Sequence, residues 1–276
     1  MSGTAGGWEQ DFGRALETHR LHARRLLERP EVTGVGVGLR RRLGLLTGEC
    51  VLKVYVHEKR SKNELAEPLP SALNGTNLDV EAMNELGTPG TFNQRRRAPR
   101  RMAQARLRVP RRPAMGGSSI AHYEFPVGTV SLGVIDLRTG AHCLLSCSHV
   151  LAQLQHARVG DAVLQPAPSD GGVRPRSVIG WVLRWSELRF NGDANHADAA
   201  IAVCAPGAAL SYVDGIGPIQ AIAPDVRLGE TMRKVGRATG LTEGPVTAVK
   251  GLFRANYLRL GFGDRKSTRL NSSHSS

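Results

Sequence analysis

No stretch of this 276-residue sequence approaches the roughly 18 consecutive apolar residues that a membrane-spanning helix needs, so no membrane partner is expected. Met1 to Gln10 is Gly-rich and lacks a basic flank followed by an apolar run, so no secretory signal peptide is expected. Aromatic residues are scarce, at 5% of the chain. None interleaves with the basic run Arg95 to Arg112, which argues against a base-stacking surface for nucleic acid. Only four cysteines occur: Cys50, Cys143, Cys147 and Cys204. Cys143 and Cys147 sit four apart on one expected strand, which sets their Cα atoms about 13 Å apart. A disulfide spans less than about 7 Å, so this pair is expected to stay unbridged. Reduced thiols without a leader favour the cytoplasm. Acidic residues are also in deficit, 24 against 37 basic, for a net charge of +13. That balance can mark a partner of nucleic acid or of an anionic surface. Nine of the arginines, however, crowd into Arg95 to Arg112, a local run of the kind that marks a solvated linker.

What remains suits short strands. The chain is 41% hydrophobic with 32 Gly and 15 Pro, enough for a core cut by many turns. Asp11 to Arg29 reads as an amphipathic helix on Phe12, Leu16, Leu26 and Leu27, stopped by Pro30. Its polar face (Arg14, Arg20, Arg24, Arg25) is read as solvated, with an acidic partner as the alternative. Val32 to Leu39 alternates Val and Gly at period two. This reads as a strand with close backbone approach, because the spacing is not that of a phosphate-cradling loop. Val51 to Val56 is a second strand, and Leu46 to Glu49 the turn between them. Residues 1–86 therefore form a small α+β module and 87–115 an Arg/Pro-rich linker. From Gly116 short β segments follow: Thr129 to Asp136, Gly140 to Ser146, Val178 to Trp185, Ala199 to Val203 and Glu243 to Val249. Even spacing without strand–helix alternation points to a barrel or sandwich.

Two residues stand out chemically. Leu144 to Ala152 reads Leu-Leu-Ser-Cys-Ser-His-Val-Leu-Ala, a strand expected to stop at an imidazole, His149. A general base needs a pKa near neutrality and a rigid support, and a strand-end histidine meets both. Asp198 heads the apolar run Ala199-Ala200-Ile201-Ala202, and a carboxylate entering a core strand requires a partner. A histidine oriented by an aspartate is one such pairing. A strand-edge aspartate capping a turn is the plainer alternative. No metal site is expected: Cys143, Cys147 and His149 on a single strand would point along a line, not toward a tetrahedral centre. No cofactor motif is present.

The histidine motif resembles that of chymotrypsin-fold serine peptidases. More narrowly, it is similar to the bacterial trypsin-like peptidases related to the plant protein Narrow Leaf 1, which carry a similar Leu-Ser-x-x-His-Val-Leu-Ala. The resemblance extends from about Glu31 to Phe262. It takes in Gly34 to Gly38, Val56 to Lys59 and Gly75 to Val80 in the N-terminal module. Further on it includes Gly116-Gly117-Ser118-Ser119-Ile120, Gly160 to Gly172 (with Gln-Pro-Ala-Pro-Ser-Asp-Gly-Gly), Asn195-His196-Ala197-Asp198, and Lys234 to Gly244. It implies a mainly β chain: a chymotrypsin-like double β-barrel over 116–263, its second barrel incomplete, behind the α+β module. It also implies His149 as general base and Asp198 as its orienting partner, with a peptide or protein substrate. The nucleophile of that fold lies in Gly-Asp-Ser-Gly, which does not occur in this sequence. Residues 264–276 are expected to be an artefactual tail, because Asp264 to His274 is the translation of a common short-read sequencing adapter. Ser267, Ser272 and Ser273 are therefore not nucleophile candidates. The expectation is a serine endopeptidase fragment that is inactive as written. The alternatives are a non-catalytic protease-fold binding protein, or a basic nucleic-acid-binding protein acting through Arg95 to Arg112.

Overall fold

A computed structural model describes residues 5–83, 104–255, 257 and 268–271. The chain begins with helix α1 (Ala5–Glu28), followed by strands β1 (Val32–Arg42), β2 (Leu45–Val56), β3 (Ala72–Leu73) and β4 (Thr76–Ala82). The next strands are β5 (Ala114–Gly116), β6 (Ser119–His122), β7 (Gly128–Thr129), β8 (Leu132–Ile135) and β9 (His142–Ser146), after which comes the one-turn helix α2 (Ser148–Leu151). Then follow β10 (Ala162–Leu164), β11 (Val178–Trp185), β12 (Ala194–Asn195), β13 (Ala200–Cys204), β14 (Ala209–Val213) and β15 (Gly217–Pro218). The last strands are β16 (Thr231–Gly236), β17 (Gly240–Pro245), β18 (Ala248–Ala255) and β19 (Thr268–Asn271). The expected fold class holds. The chain is mainly β, with a small helix-on-sheet module ahead of a curled half-barrel.

In the N-terminal module α1 buries Ala15, Ala23, Leu26 and Leu27 against β1, β2 and β4. The helix starts six residues before the expected Asp11 and ends at Glu28, next to the expected stop. The β1–β2 turn is not Leu46 to Glu49, which pairs as strand, but Leu43-Gly44, with φ of 49° and 82°. Two consecutive left-handed residues make the two-residue hairpin turn whose twist matches its strands, and Gly44 supplies one of them without strain. The Val/Gly alternation of β1 has a specific cause in β18, which lies beside it. A Cβ on Gly38 would sit 2.2 Å from the carbonyl oxygen of Thr247. Lys53 on β2 is fully buried, and its Nζ donates to Asp79 on β4 at 2.8 Å and to Glu81. Both carboxylates come from the parallel neighbour strand, so an otherwise costly buried ammonium is doubly neutralised.

This sheet runs β12-β19-β18-β1-β2-β4-β3. It is not closed by residues 1–86 alone: β18, assigned from sequence to the peptidase region, pairs antiparallel with β1 from Gly34↔Phe253 to Gly38↔Ala248. The backbone of residues 268–271, within the expected artefactual tail, runs beside β18 and β12.

The second sheet, β7-β6-β10-β11-β13-β9-β8, is antiparallel throughout. Its inner face carries Ile120, Leu144, Val163, Val182, Ala200 and Ala202, closed by Val150 and Leu151 of α2. Strand β13 shows the period-two pattern of a sheet with one wetter face, its burial alternating from Ala200 to Cys204. Beyond it, β16 and β17 form a two-stranded hairpin of their own with Met232 and Leu241 exposed.

Residues 84–103, which take in the end of the expected module and the linker from 87 to 103 with Arg95 to Arg101, lie outside the described residues. The rest of the linker is built into the fold. Leu107 is buried, β5 pairs with β14, Arg106 and Arg111 reach Asp214 at 3.0 and 3.5 Å, and Arg112 donates to the Gln165 side chain and to its carbonyl at 3.2 Å. These three arginines are spent on the protein itself, which subtracts them from the nucleic-acid reading. Among the described residues no helix is long and apolar enough to cross a membrane.

Candidate active site

Strand β9 ends at Ser146. Cys147 stays extended, and α2 then turns on Cys147, whose carbonyl accepts from the N–H groups of Val150 and Leu151, both at 3.1 Å. His149 therefore stands on a single helical turn after the strand, not on the strand itself. The turn is rigid because Val150, Leu151 and Ala152 are all buried in the barrel core. Asp198 lies just before β13, which pairs with β9 from Ala200↔Ser146 to Val203↔Cys143. Antiparallel pairing of these two strands is what brings the motifs together across 49 residues of sequence.

The geometry is that of an oriented imidazole. His149 Nδ1 lies 2.6 Å from Asp198 Oδ2, and the His149 backbone N–H donates to Asp198 Oδ1 at 3.1 Å. One carboxylate thus grips both the ring and the main chain of the same residue. Tyr257 donates its hydroxyl to Asp198 Oδ2 at 3.0 Å, and Phe125 lies edge-on to the His149 ring at 6.3 Å. Burial works against ionisation of Asp198, but the bonds from His149 and Tyr257 and the charge of His149 outweigh it and hold the carboxyl below its usual range. Burial, then the Asp198 charge, push the Tyr257 hydroxyl up, so it remains a donor. With Nδ1 engaged, Nε2 of His149 has no hydrogen-bond partner among the described residues, and the side chain is 21% exposed.

The geometric premise that excluded zinc does not hold, because Cys147 and His149 lie past the strand. Donor atoms of Cys147, His149 and Asp198 fall within 4.8 Å of one another. The chemistry of this set suits an orienting pair. Burial, with the Asp198 charge adding to it, pushes the Cys147 thiol up to about 12, so it is neither a thiolate ligand nor a nucleophile at neutral pH. Asp198 Oδ2 already accepts from Tyr257 and faces the His149 ring. All four cysteines are free.

Three stretches matched only by their order in the sequence meet at one buried cluster. Asp170 accepts from Ser119 Oγ at 2.6 Å and from Arg237 Nε at 2.7 Å, and Arg237 closes a second bond through its other nitrogen. Ser119 Oγ in turn accepts from the Ala167 N–H at 3.0 Å, and the Arg237 N–H donates to Thr129 Oγ1 at 3.1 Å. The cluster pins the β16–β17 hairpin to the half-barrel. Asn195 of the aspartate motif has a similar bracing role: its carboxamide bonds both main-chain groups of Arg189, at 2.7 and 2.8 Å.

No family model matches the chain, and no curated protein matches it. Solved structures do. One is a glutamic-acid-specific serine protease, described as using a histidine triad in substrate binding. It is 20% identical with a TM-score of 0.37, over 58% of this chain and 70% of that one. An overlay that loose assigns no residues and no activity. The reading below rests on the geometry of His149, Asp198 and Tyr257.

The sequence led to His149 and Asp198, and the two meet. It did not lead to Tyr257, which has no motif around it. Only its position after an apolar strand sets it apart.

Proposed function

We propose that the half-barrel is the His–Asp half of a trypsin-like serine endopeptidase, of the family related to plant Narrow Leaf 1. The observation that carries this reading is the 2.6 Å contact of His149 Nδ1 with Asp198, which leaves Nε2 directed elsewhere. In such an enzyme a serine hydroxyl attacks the scissile carbonyl while His149 Nε2 takes its proton, then returns it to the leaving amine. Asp198 fixes the tautomer and stabilises the imidazolium, and Tyr257 and the His149 N–H hold Asp198 still. These 276 residues do not supply the serine or its backbone donors for the oxyanion, since Gly-Asp-Ser-Gly is absent.

The test is to read the source gene onward from the codon for Gly263 and express the extended chain. A Gly-Asp-Ser-Gly is expected within several tens of codons. A fluorophosphonate probe is then expected to label the extended chain, to fail on the 276-residue chain, and to fail on the extended His149→Ala variant. A natural reading frame whose barrel continues without that serine would sink the enzyme reading and leave a protease-fold binding protein.

A further inference from the structure

A second cavity-forming region lies away from the dyad, where α1 faces β18 and the loop that leads into β12. It is an open cleft of about 560 Å³, within the range of small-ligand sites. Arg20 and Arg24 reach it from the helix, Arg189 from the loop and Lys250 from the strand, against a single carboxylate, Asp193. Like charges gathered on three separate elements repel unless something neutralises them, and the local carboxylates do little of this. Glu17 takes Arg20 at 2.8 Å, and Asp193 stands 4.0 Å from Arg189. Arg24 and Lys250 have no carboxylate partner among the described residues. Lys250 sits in the β-bulge where β18 shifts register against β1 between Val35↔Leu252 and Val37↔Val249. The His19 ring also lines the cavity, held by the main chain of Val35 on β1.

We propose that this cavity binds a small multivalent oxyanion of the phosphate-ester or pyrophosphate class. Four cations against the two carboxylates Glu17 and Asp193 leave an excess of two, which a divalent anion balances. The guanidinium fork of Arg24 suits phosphate oxygens in pairs, with Lys250 as the point charge. The site is also joined to the dyad. Arg189 is the residue whose main chain Asn195 brackets, and Asp198 follows Asn195 by three residues, so a bound anion would tie α1 to the segment that carries Asp198. The binding itself does not depend on the peptidase reading.

The experiment is calorimetric titration of the 276-residue chain with pyrophosphate in phosphate-free buffer at physiological chloride. Saturable one-site binding is expected. Arg24→Glu with Lys250→Glu is expected to weaken it more than tenfold. The same charge change at two exposed positions far from the cavity, Arg138→Glu with Arg227→Glu, is expected to leave it within about threefold. If circular dichroism shows the Glu pair unfolded, Arg24→Gln alone is used and is expected to weaken binding severalfold. No saturable binding, or equal weakening by the distant pair, would overturn the proposal, because the affinity would then be that of a basic surface in general.

Discussion

The barrel contains two His–Asp pairs that make opposite use of the same chemistry. His122 sits on β6 at 1% exposure, its Nε2 3.2 Å from Asp161 Oδ2. Its other nitrogen faces the Glu124 N–H at 3.1 Å and the Gln153 carboxamide at 2.5 Å. Both ring nitrogens are consumed by the protein, and burial holds the imidazole below its ordinary range despite the opposing pull of Asp161. His149 has one nitrogen on a nearly buried aspartate and the other unclaimed among the described residues. A histidine beside an aspartate is therefore not yet a base. What distinguishes the two is the order of burial: at His122 the ring is sealed and its aspartate is 24% exposed, whereas at His149 the aspartate is the more buried partner, 13% against 21%. The first arrangement stabilises a loop, and the second aims a nitrogen outward.

Substitution separates the pairs most sharply in a serine-bearing parent chain. His149→Ala is expected to lower turnover by about 10⁶-fold while the chain still folds. His122→Ala is expected to lower stability by about 2 kcal/mol and leave turnover within about threefold. Loss of turnover by a folded His122→Ala protein would erase the distinction. The next largest effect is thermodynamic. Asp198→Ala strands a partly exposed ring and a buried phenol and is expected to cost about 3 kcal/mol in urea unfolding, whereas Asp161→Ala, at a wetter site, is expected to cost about 1.

Acid should then resolve the two pairs along the pH axis. His122 is depressed on folding, so its contribution is complete above its unfolded value of about 6.5 and fades as pH falls below that, where the unfolded chain protonates first. Asp198 is depressed too, but its contribution holds down to the ordinary carboxylate range and is lost only as pH falls further, through its folded value. Stability measured against pH is expected to show both limbs. His122→Gln should flatten the upper one, with burial of His19 contributing the remainder. An unchanged upper limb in that variant would assign it elsewhere. The smallest effect is Tyr257→Phe, about 1 kcal/mol by denaturant unfolding, since one hydroxyl donor to Asp198 is removed and the ring packing kept. No change would make Tyr257 packing alone.

The contrast also explains what could be read from the sequence. His149 and Asp198 were legible because each sits at a junction the local pattern marks, an apolar strand ending in small polar residues and a carboxylate heading an alternating run. Strand β11 was legible to the residue, from Val178 to Trp185, because β-branched and aromatic side chains fill it. His122 was not singled out, since a histidine in Ser-Ile-Ala-His shows nothing of Asp161 or Gln153. Nor did local pattern reveal that Asp170 would meet Ser119 and Arg237, or that Tyr257 would meet Asp198. Those meetings depend on strand register between distant segments, which tertiary packing sets. The β1–β2 turn was misplaced because Leu43 in a left-handed conformation has no signature, and only Gly44 hints at it.

Strand β18 has one further consequence, for synthesis on the ribosome. The N-terminal helix and β1 to β4 emerge first, yet the open edge of β1 waits for Ala248–Ala255. At ordinary elongation rates that wait is roughly ten to thirty seconds, long against the microseconds in which a hairpin forms. During that interval the glycine-lined edge of β1 is bare, and a nascent chain in this state would draw on a holdase or on its own half-barrel for cover. The barrel strands, paired mostly with near neighbours in sequence, can close first. The N-terminal sheet is therefore completed only after the strands of the half-barrel have been made.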